Sequence, residues 1–293
     1  LPSFFGGAGR SVETMIGKAT ASLEPVPRRW LQRWFGLPDI HYRQKWRAIW
    51  PQLRSLPAGP TRLLDAGCGN GNWTLELARR RPDWQLLGLD CSTQAIFEAR
   101  RRAERLGIRN VSFMVGDFLE YEPHSPFDVV LSVASAHYAV QAGDGVDLFR
   151  AFRHWLSPSG TLVLLGPRVA DEVPAVPILP SLAQPRIFSS RQLRSLCAAA
   201  GLQVDLLQPC VGASGTAAKQ LALSARHSPI LQGIVYPIQF LLDQIERIPF
   251  APPATRSCFW LLRASSGPAA LPQPLDLPLK SADPPTGKLV GPE

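Results

Sequence analysis

LLDAGCGNGNW, residues 63–73, sets glycines at 67, 69 and 71 directly behind a short apolar run that carries an aspartate, Asp65. An apolar run ending in alternate glycines reads as a β-strand, a turn too tight for side chains, and the start of a helix. The text that follows repeats the unit. Short, nearly continuous apolar runs recur at 62–66, 85–90, 111–117, 127–135 and 161–166, the pattern of strands covered on both faces. Between them stand the helical stretches WTLELARR, TQAIFEARRRAERLG with its stop at Gly107, and VDLFRAFRHWLSP ended by Pro158. This alternation calls for right-handed crossovers and helices on both sides of a sheet. The fold class expected is α/β, a doubly wound and mostly parallel sheet.

The flanks read differently. Ahead of residue 61, RRWLQRWF and PDIHYRQKWRAIW carry apolar groups at helical spacing, with Tyr42, Trp46, Ile49 and Trp50 on one face and Asp39 placed as a cap. They predict an N-terminal helical lid over 1–60. Trp30, Trp34 and Phe35 stand among Arg28, Arg29 and Arg33, which is also the composition of a helix lying on a membrane surface. Repeated prolines over 167–187 predict an extended loop. SSRQLRSLCAAAGL follows as a helix capped by Ser189 or Ser190 and ended at Gly201, and strands at 202–208 and 257–265 close the domain. The apolar run SPILQGIVYPIQFLLDQIERI, interrupted by Pro237, predicts a helical insertion over about 211–252. The chain thus divides into a lid, 1–60, a core domain, 61–264, and a proline-rich tail, 265–293, read as disordered.

The 293 residues are 45% hydrophobic and 18% charged, which suits a globular domain with a sizeable core. A net charge of +8 favours contact with something anionic: nucleic acid, a membrane surface or an acidic substrate. The cysteines at 68, 91, 197, 210 and 258 are scattered and never form a CxxC pair, so neither a disulfide framework nor a metal site is expected. No run reaches the roughly 20 apolar residues of a spanning helix, and the start, which is not a methionine, lacks the pattern of a signal peptide. A reducing, cytoplasmic setting is expected, with peripheral membrane contact as a further reading.

The dinucleotide fingerprint is GxGxxG, and Asn72 stands where its last glycine belongs, which argues against NAD or FAD. The stretch instead resembles the first motif of the class I S-adenosylmethionine-dependent methyltransferases, acidic-x-Gly-x-Gly-x-Gly, met here by Asp65, Gly67, Gly69 and Gly71. The resemblance continues in order through LLGLD with Asp90, VGDF with Asp117 and Phe118, FDVVLSVAS and LSPSGTLVLLG. It covers about 61–166 and, with less force, the closing strands to 264. It implies the Rossmann-like fold of that family and S-adenosyl-L-methionine as cofactor, with no metal.

On that resemblance, the glycines bring bare backbone to the methionine and ribose part of the cofactor. Asp65 holds its ammonium end directly or through water, Asp90 accepts the ribose hydroxyls, Asp117 accepts the adenine amino group, and Phe118 or Ile96 covers the ring. A plainer role as a turn or helix cap stands beside each aspartate. Cys68 and Cys91 are expected to fill small spaces beside the turn.

A sulfonium carries its own leaving group, so methyl transfer asks the protein chiefly for position, and for a general base only when the acceptor is a hydroxyl. His137, in the loop after the fourth strand, is the candidate base, with packing or substrate contact as the alternative. Tyr138 and Arg168 are candidate acceptor contacts, with Arg186 farther along the same loop. His154 is expected on a helix surface, and His124 is given no role. Lid, loop and insertion together point to a small-molecule or amphiphilic acceptor, methylated at oxygen. No NPPY-like run follows the fourth strand, which speaks against nucleic-acid bases and glutamine amides as acceptors. The rivals are an RNA methyltransferase, motivated by the charge, a non-catalytic cofactor-binding scaffold, and a dehydrogenase.

Overall fold

The computed structural model describes residues 40–56, 59–141, 143, 145–168, 188–212, 234, 235, 238 and 257–266. In chain order these form α1 (Ile40–Arg54), β1 (Arg62–Ala66), α2 (Asn72–Arg80), β2 (Gln85–Asp90), α3 (Thr93–Leu106), β3 (Val111–Val115) and β4 (Phe127–Val133). There follow α4 (Ala136–Gln141), α5 (Gly145–Trp155), β5 (Leu156–Pro167), α6 (Ser190–Ala199), β6 (Leu202–Gly212) and β7 (Ser257–Ser266). Residues 28–35, Asp39, Arg186 and most of the expected insertion and tail lie outside the described residues.

The seven strands make one sheet in the order β3-β2-β1-β4-β5-β7-β6. The pairs from β3 to β5 are parallel, and β7 runs antiparallel to both β5 and β6. The doubly wound, mostly parallel sheet is therefore as expected, and a single reversed strand accounts for the word "mostly". Strand order changes direction between β1 and β4, where crossovers on opposite faces leave a crevice at the carboxyl ends.

Period-two alternation sorts the side chains of the buried strands between the two faces. Leu64, Val130, Leu162 and Leu164 face α5 and α6, meeting Phe149, Phe152, Trp155 and Leu196. Leu63, Val129, Leu131 and Val163 face the other way, onto Leu77 of α2 and Trp46, Ile49 and Leu53 of α1. The aromatic face expected for α1 is present: Tyr42, Trp46 and Trp50 stack in series, and Trp73 of α2 closes on Tyr42 and Trp46 at centroid distances of 4.5 and 5.2 Å. Arg80 lies over both Trp46 and Trp50.

Several boundaries move. β3 stops at Val115 and β4 at Val133. β5 begins as early as Leu156, because that residue pairs with Phe127 ahead of the main register. β6 runs on to Gly212 and β7 to Ser266, since each borrows hydrogen bonds from the other along its whole length. Between β3 and β4 the chain makes only turns, without a crossover helix. A groove of about 650 Å³ consequently runs beside β2 and β3, from Asp117 and Tyr121 to Arg62 and Phe127. β3 is the sheet's outer strand on this side, and Arg100 of α3 reaches over it to donate from Nε and Nη2 to the carbonyl of Phe113, at 3.1 and 2.6 Å.

Candidate cofactor and acceptor site

The glycine turn sits at the carboxyl end of β1, beside the crevice, and is pinned to the end of β2. Gly67 and Cys68 donate their N–H groups to the Leu89 carbonyl at 2.8 and 3.0 Å. Asp90 completes the hold: one carboxylate oxygen accepts the Gly69 N–H at 2.8 Å and the other the Ser92 N–H at 2.9 Å. Each oxygen keeps a further lone pair, and the residue is 9% exposed. Cap and candidate ligand are here the same carboxylate.

The three glycines are bare for different reasons. All have positive φ, +81, +54 and +75°, which side chains disfavour. A Cβ on Gly67 would overlap Ser135 and come within 3.1 Å of the Phe118 ring, and one on Gly71 would press the Phe113 ring at 2.8 Å. At Gly69 a Cβ would meet nothing within 4 Å. At Gly67 and Gly71 the protein's own side chains stand where a Cβ would go, and of the three glycines Gly69 borders open space.

Asp65 is 1% exposed and lies beneath the turn, where it accepts the Thr74 hydroxyl of α2 at 2.6 Å. Burial, with Asp90 nearby, pushes its carboxyl up to about 7 against the pull of the Thr74 hydrogen bond. It braces α2 on β1 and offers no surface for direct contact with an ammonium group. Asp117 is exposed and accepts the Leu119 N–H at 2.8 Å, the plainer turn-forming role, while Phe118 is half-buried against Gly67. Ile96 is 1% exposed within the α3–β3 packing, so Phe118 is the ring left at the surface. Cys68 is buried as expected, whereas Cys91 is exposed, since it points outward just past the end of β2.

At the end of β4 the chain turns through Ala134, a non-glycine residue at φ +56° whose N–H donates to the Leu165 carbonyl at 2.7 Å. The next residue, Ser135, donates to the Ala66 carbonyl at 2.7 Å and shares a hydrogen bond with Ser132, tying this loop to the glycine turn. His137 follows in the first turn of α4. It is 7% exposed, its Nδ1 has no hydrogen-bond partner among the described residues, and its ring lies 4.1 Å from that of Tyr138. Burial, assisted by the charge of Lys45, lowers its pKa to about 4. The imidazole is therefore neutral and weakly basic, far from the value suited to deprotonating a hydroxyl.

Tyr138 is exposed, with its phenol pushed up by partial burial. Arg168, at the end of β5, stacks over Trp260 at 4.7 Å, and Lys45 over Phe259 at 4.6 Å. Phe259 and Trp260 are neighbours on β7 and belong to opposite faces of the sheet, so the two cations flank the strand on either side. His154 is on the surface as expected, paired with Glu122 at 2.9 Å. Thr74, Ser135, Lys45 and the strained Ala134 carry no pattern that marks them in the sequence.

Residues 63–160 match a family model described as a methyltransferase domain. A trans-aconitate 2-methyltransferase of Streptomyces coelicolor is 31% identical over 152 residues, 52% of this chain and 49% of that one. A ribosomal RNA large subunit methyltransferase G of Streptomyces avermitilis is 33% identical over 120 residues, 40% of this chain and 32% of that one. Among solved structures, a geranyl diphosphate C-methyltransferase of Streptomyces coelicolor, crystallised with Mg2+, geranyl diphosphate and S-adenosyl-L-homocysteine, shares the fold at TM-score 0.52 and 21% identity, over 77% of this chain and 80% of that one. The chain spans half or less of the length of these two curated relatives.

Residues 63–160 are thus a methyltransferase domain by this match, and the sheet order and glycine turn agree with the class I S-adenosylmethionine-dependent fold. S-adenosylmethionine is accordingly its cofactor.

Proposed function

We propose that the protein transfers the methyl group of S-adenosylmethionine to an oxygen of a small acceptor, and that this oxygen belongs to a carboxylate. The observation that carries the reading is the pinned turn: bare, open backbone at Gly69 held 2.8 Å from the Asp90 carboxylate, a cradle with a hydroxyl acceptor beside it. Asp90 would take the ribose hydroxyls with its remaining lone pairs. Phe118 would cover the adenine and Asp117 its amino group, while Gly67 and Gly71 hold the shape that lets Gly69 approach. Asp65 acts from beneath the turn, where a cation bound above favours its charged form. The cofactor supplies an electrophilic methyl on a sulfonium that leaves as a neutral thioether.

His137 supports the reading of the acceptor as a carboxylate. A hydroxyl must lose its proton to react, whereas a carboxylate already carries the electron pair and no proton has to move. A buried neutral imidazole near Lys45 suits the second case: His137 orients the acceptor as a hydrogen-bonding wall, and Lys45 contributes positive potential. The likeness to trans-aconitate methyltransferases points the same way.

Incubation with labelled cofactor and a set of mono-, di- and tricarboxylic acids, each beside its alcohol counterpart, tests this. Base-labile methyl esters, a rate flat between about pH 6 and 9, and less than roughly tenfold loss in His137→Ala are expected. Methyl ethers formed with a rate limb near a histidine pKa would refute the carboxylate. RNA is the second reading, favoured by the charge of +8 and the ribosomal RNA relative. Several arginines of the core are, however, already engaged: Arg79 and Arg80 with Glu76, Arg81 with Asp83, and Arg100 with Phe113. Methyl incorporation into RNA, lost steeply with added salt, would establish it instead.

A further inference from the structure

Asn72 breaks the dinucleotide fingerprint, and the function proposed above gives it no task. In the structure it is the hub of the contacts on the outer flank of the glycine turn. Arg102 of α3 donates from Nη1 to Asn72 Oδ1 at 2.6 Å and to the Asn70 carbonyl at 2.9 Å. Tyr42 of α1 donates its hydroxyl to the Asn72 carbonyl at 3.2 Å.

The same helix reaches the turn from the inside. α3 is capped by Ser92, whose N–H is held by Asp90, and Asp90 in turn accepts the Gly69 N–H. One helix therefore grips both flanks of the turn, through the carboxylate before its first residue and through a guanidinium nearly three turns farther on. Residues in left-handed conformations are held by what surrounds them, and glycines lose more freedom on ordering than any other residue. A cradle that must meet a ligand with bare backbone binds tightly only if that ordering is already done in the free protein.

We propose that Arg102 is a positioning residue for the cofactor, acting through Asn70 and Asn72 to hold the backbone at Gly69 in its binding-competent form. Asn72 is then the acceptor this clamp requires, which is a reason for an amide where a dinucleotide site has glycine. The inference rests on the reading that the turn binds S-adenosylmethionine.

Calorimetry with S-adenosyl-L-homocysteine on the wild type, Arg102→Met, Asn72→Ala, the double variant and Asn72→Asp decides it, with the melting temperature of each recorded alongside. Each single truncation should raise Kd about tenfold, the scale of one charge-assisted hydrogen bond. The double variant should lose no more than either single one, and Asn72→Asp, which keeps an acceptor for the guanidinium, should stay within about threefold of wild type. In turnover, KM for the cofactor should rise in Arg102→Met while kcat at saturation holds. Melting temperatures that fall while Kd stays put, or losses that add in the double variant, would overturn the clamp and leave the methyltransferase reading standing. A wild type that does not bind the cofactor product would remove both.

Discussion

The half of the sheet proposed to hold the cofactor and the half proposed to meet the acceptor are built on opposite plans. Around the glycine turn most contacts come from one run of chain: Asp65, Gly67, Gly69, Asp90, Ser92 and Phe118 lie between β1 and the turn after β3, and Ser135 and Tyr42 reach in from farther away. On the acceptor side, Lys45 comes from α1, His137 from α4, Arg168 from the end of β5, and Phe259 and Trp260 from β7. Sites assembled from adjacent segments inherit their geometry from strand register and turn chemistry. Sites assembled from distant ones inherit it from packing, and their polar groups take whatever environment that packing leaves. Both oxygens of Asp90 thus accept a backbone N–H, while His137 is buried with its Nδ1 unsatisfied among the described residues.

Substitutions can break or sharpen this contrast, taken here in order of the stability change expected. Gly67→Ala puts a methyl group into Ser135 at positive φ and should cost about 3–5 kcal/mol in urea unfolding, because it strikes the joint between the two halves. Asp65 comes next. Its folded pKa of about 7 lies above the unfolded value of 3.8, so its contribution is fully present below about pH 4 and is lost as pH rises to 7. The stability of wild type minus that of Asp65→Asn should fall by about 4 kcal/mol across that window and level off above it. Affinity for the cationic cofactor should rise over the same range, as the charged carboxylate forms beneath it.

Gly69→Val should cost only about 1–2 kcal/mol, since a Cβ there meets no protein atom within 4 Å, yet abolish measurable binding of S-adenosyl-L-homocysteine. Binding retained by this variant would show that the ligand does not approach the turn there. Smallest of all, Ala134→Gly relieves a left-handed alanine and should raise stability by less than about 1 kcal/mol, with relief and chain entropy nearly offsetting.

The sheet was legible because buried parallel strands write themselves as continuous apolar runs, and β1, β2 and β4 begin at the residues expected for them. Strand ends were not, because they depend on partners: β5 starts early only because Phe127 offers Leu156 a place. Asp90 and the glycines could be named from motifs that resemble those of the family. What stands beside the glycines could not, since Phe113 on β3 and Ser135 in the loop after β4 reach the turn from farther along the chain. Nor could the surroundings of Asp65, whose carboxylate is almost fully buried and accepts from Thr74, nine residues on. Lys45 is one basic residue among many on α1 until the fold sets it beside Phe259.

The guanidinium of Arg100 over β3 has a consequence for the molecule among its own copies. An open sheet margin is a template on which a foreign strand can grow, and the usual protections are charge and occupied carbonyls. Here a single side chain supplies both at mid-strand, which disfavours self-association by strand addition at that margin.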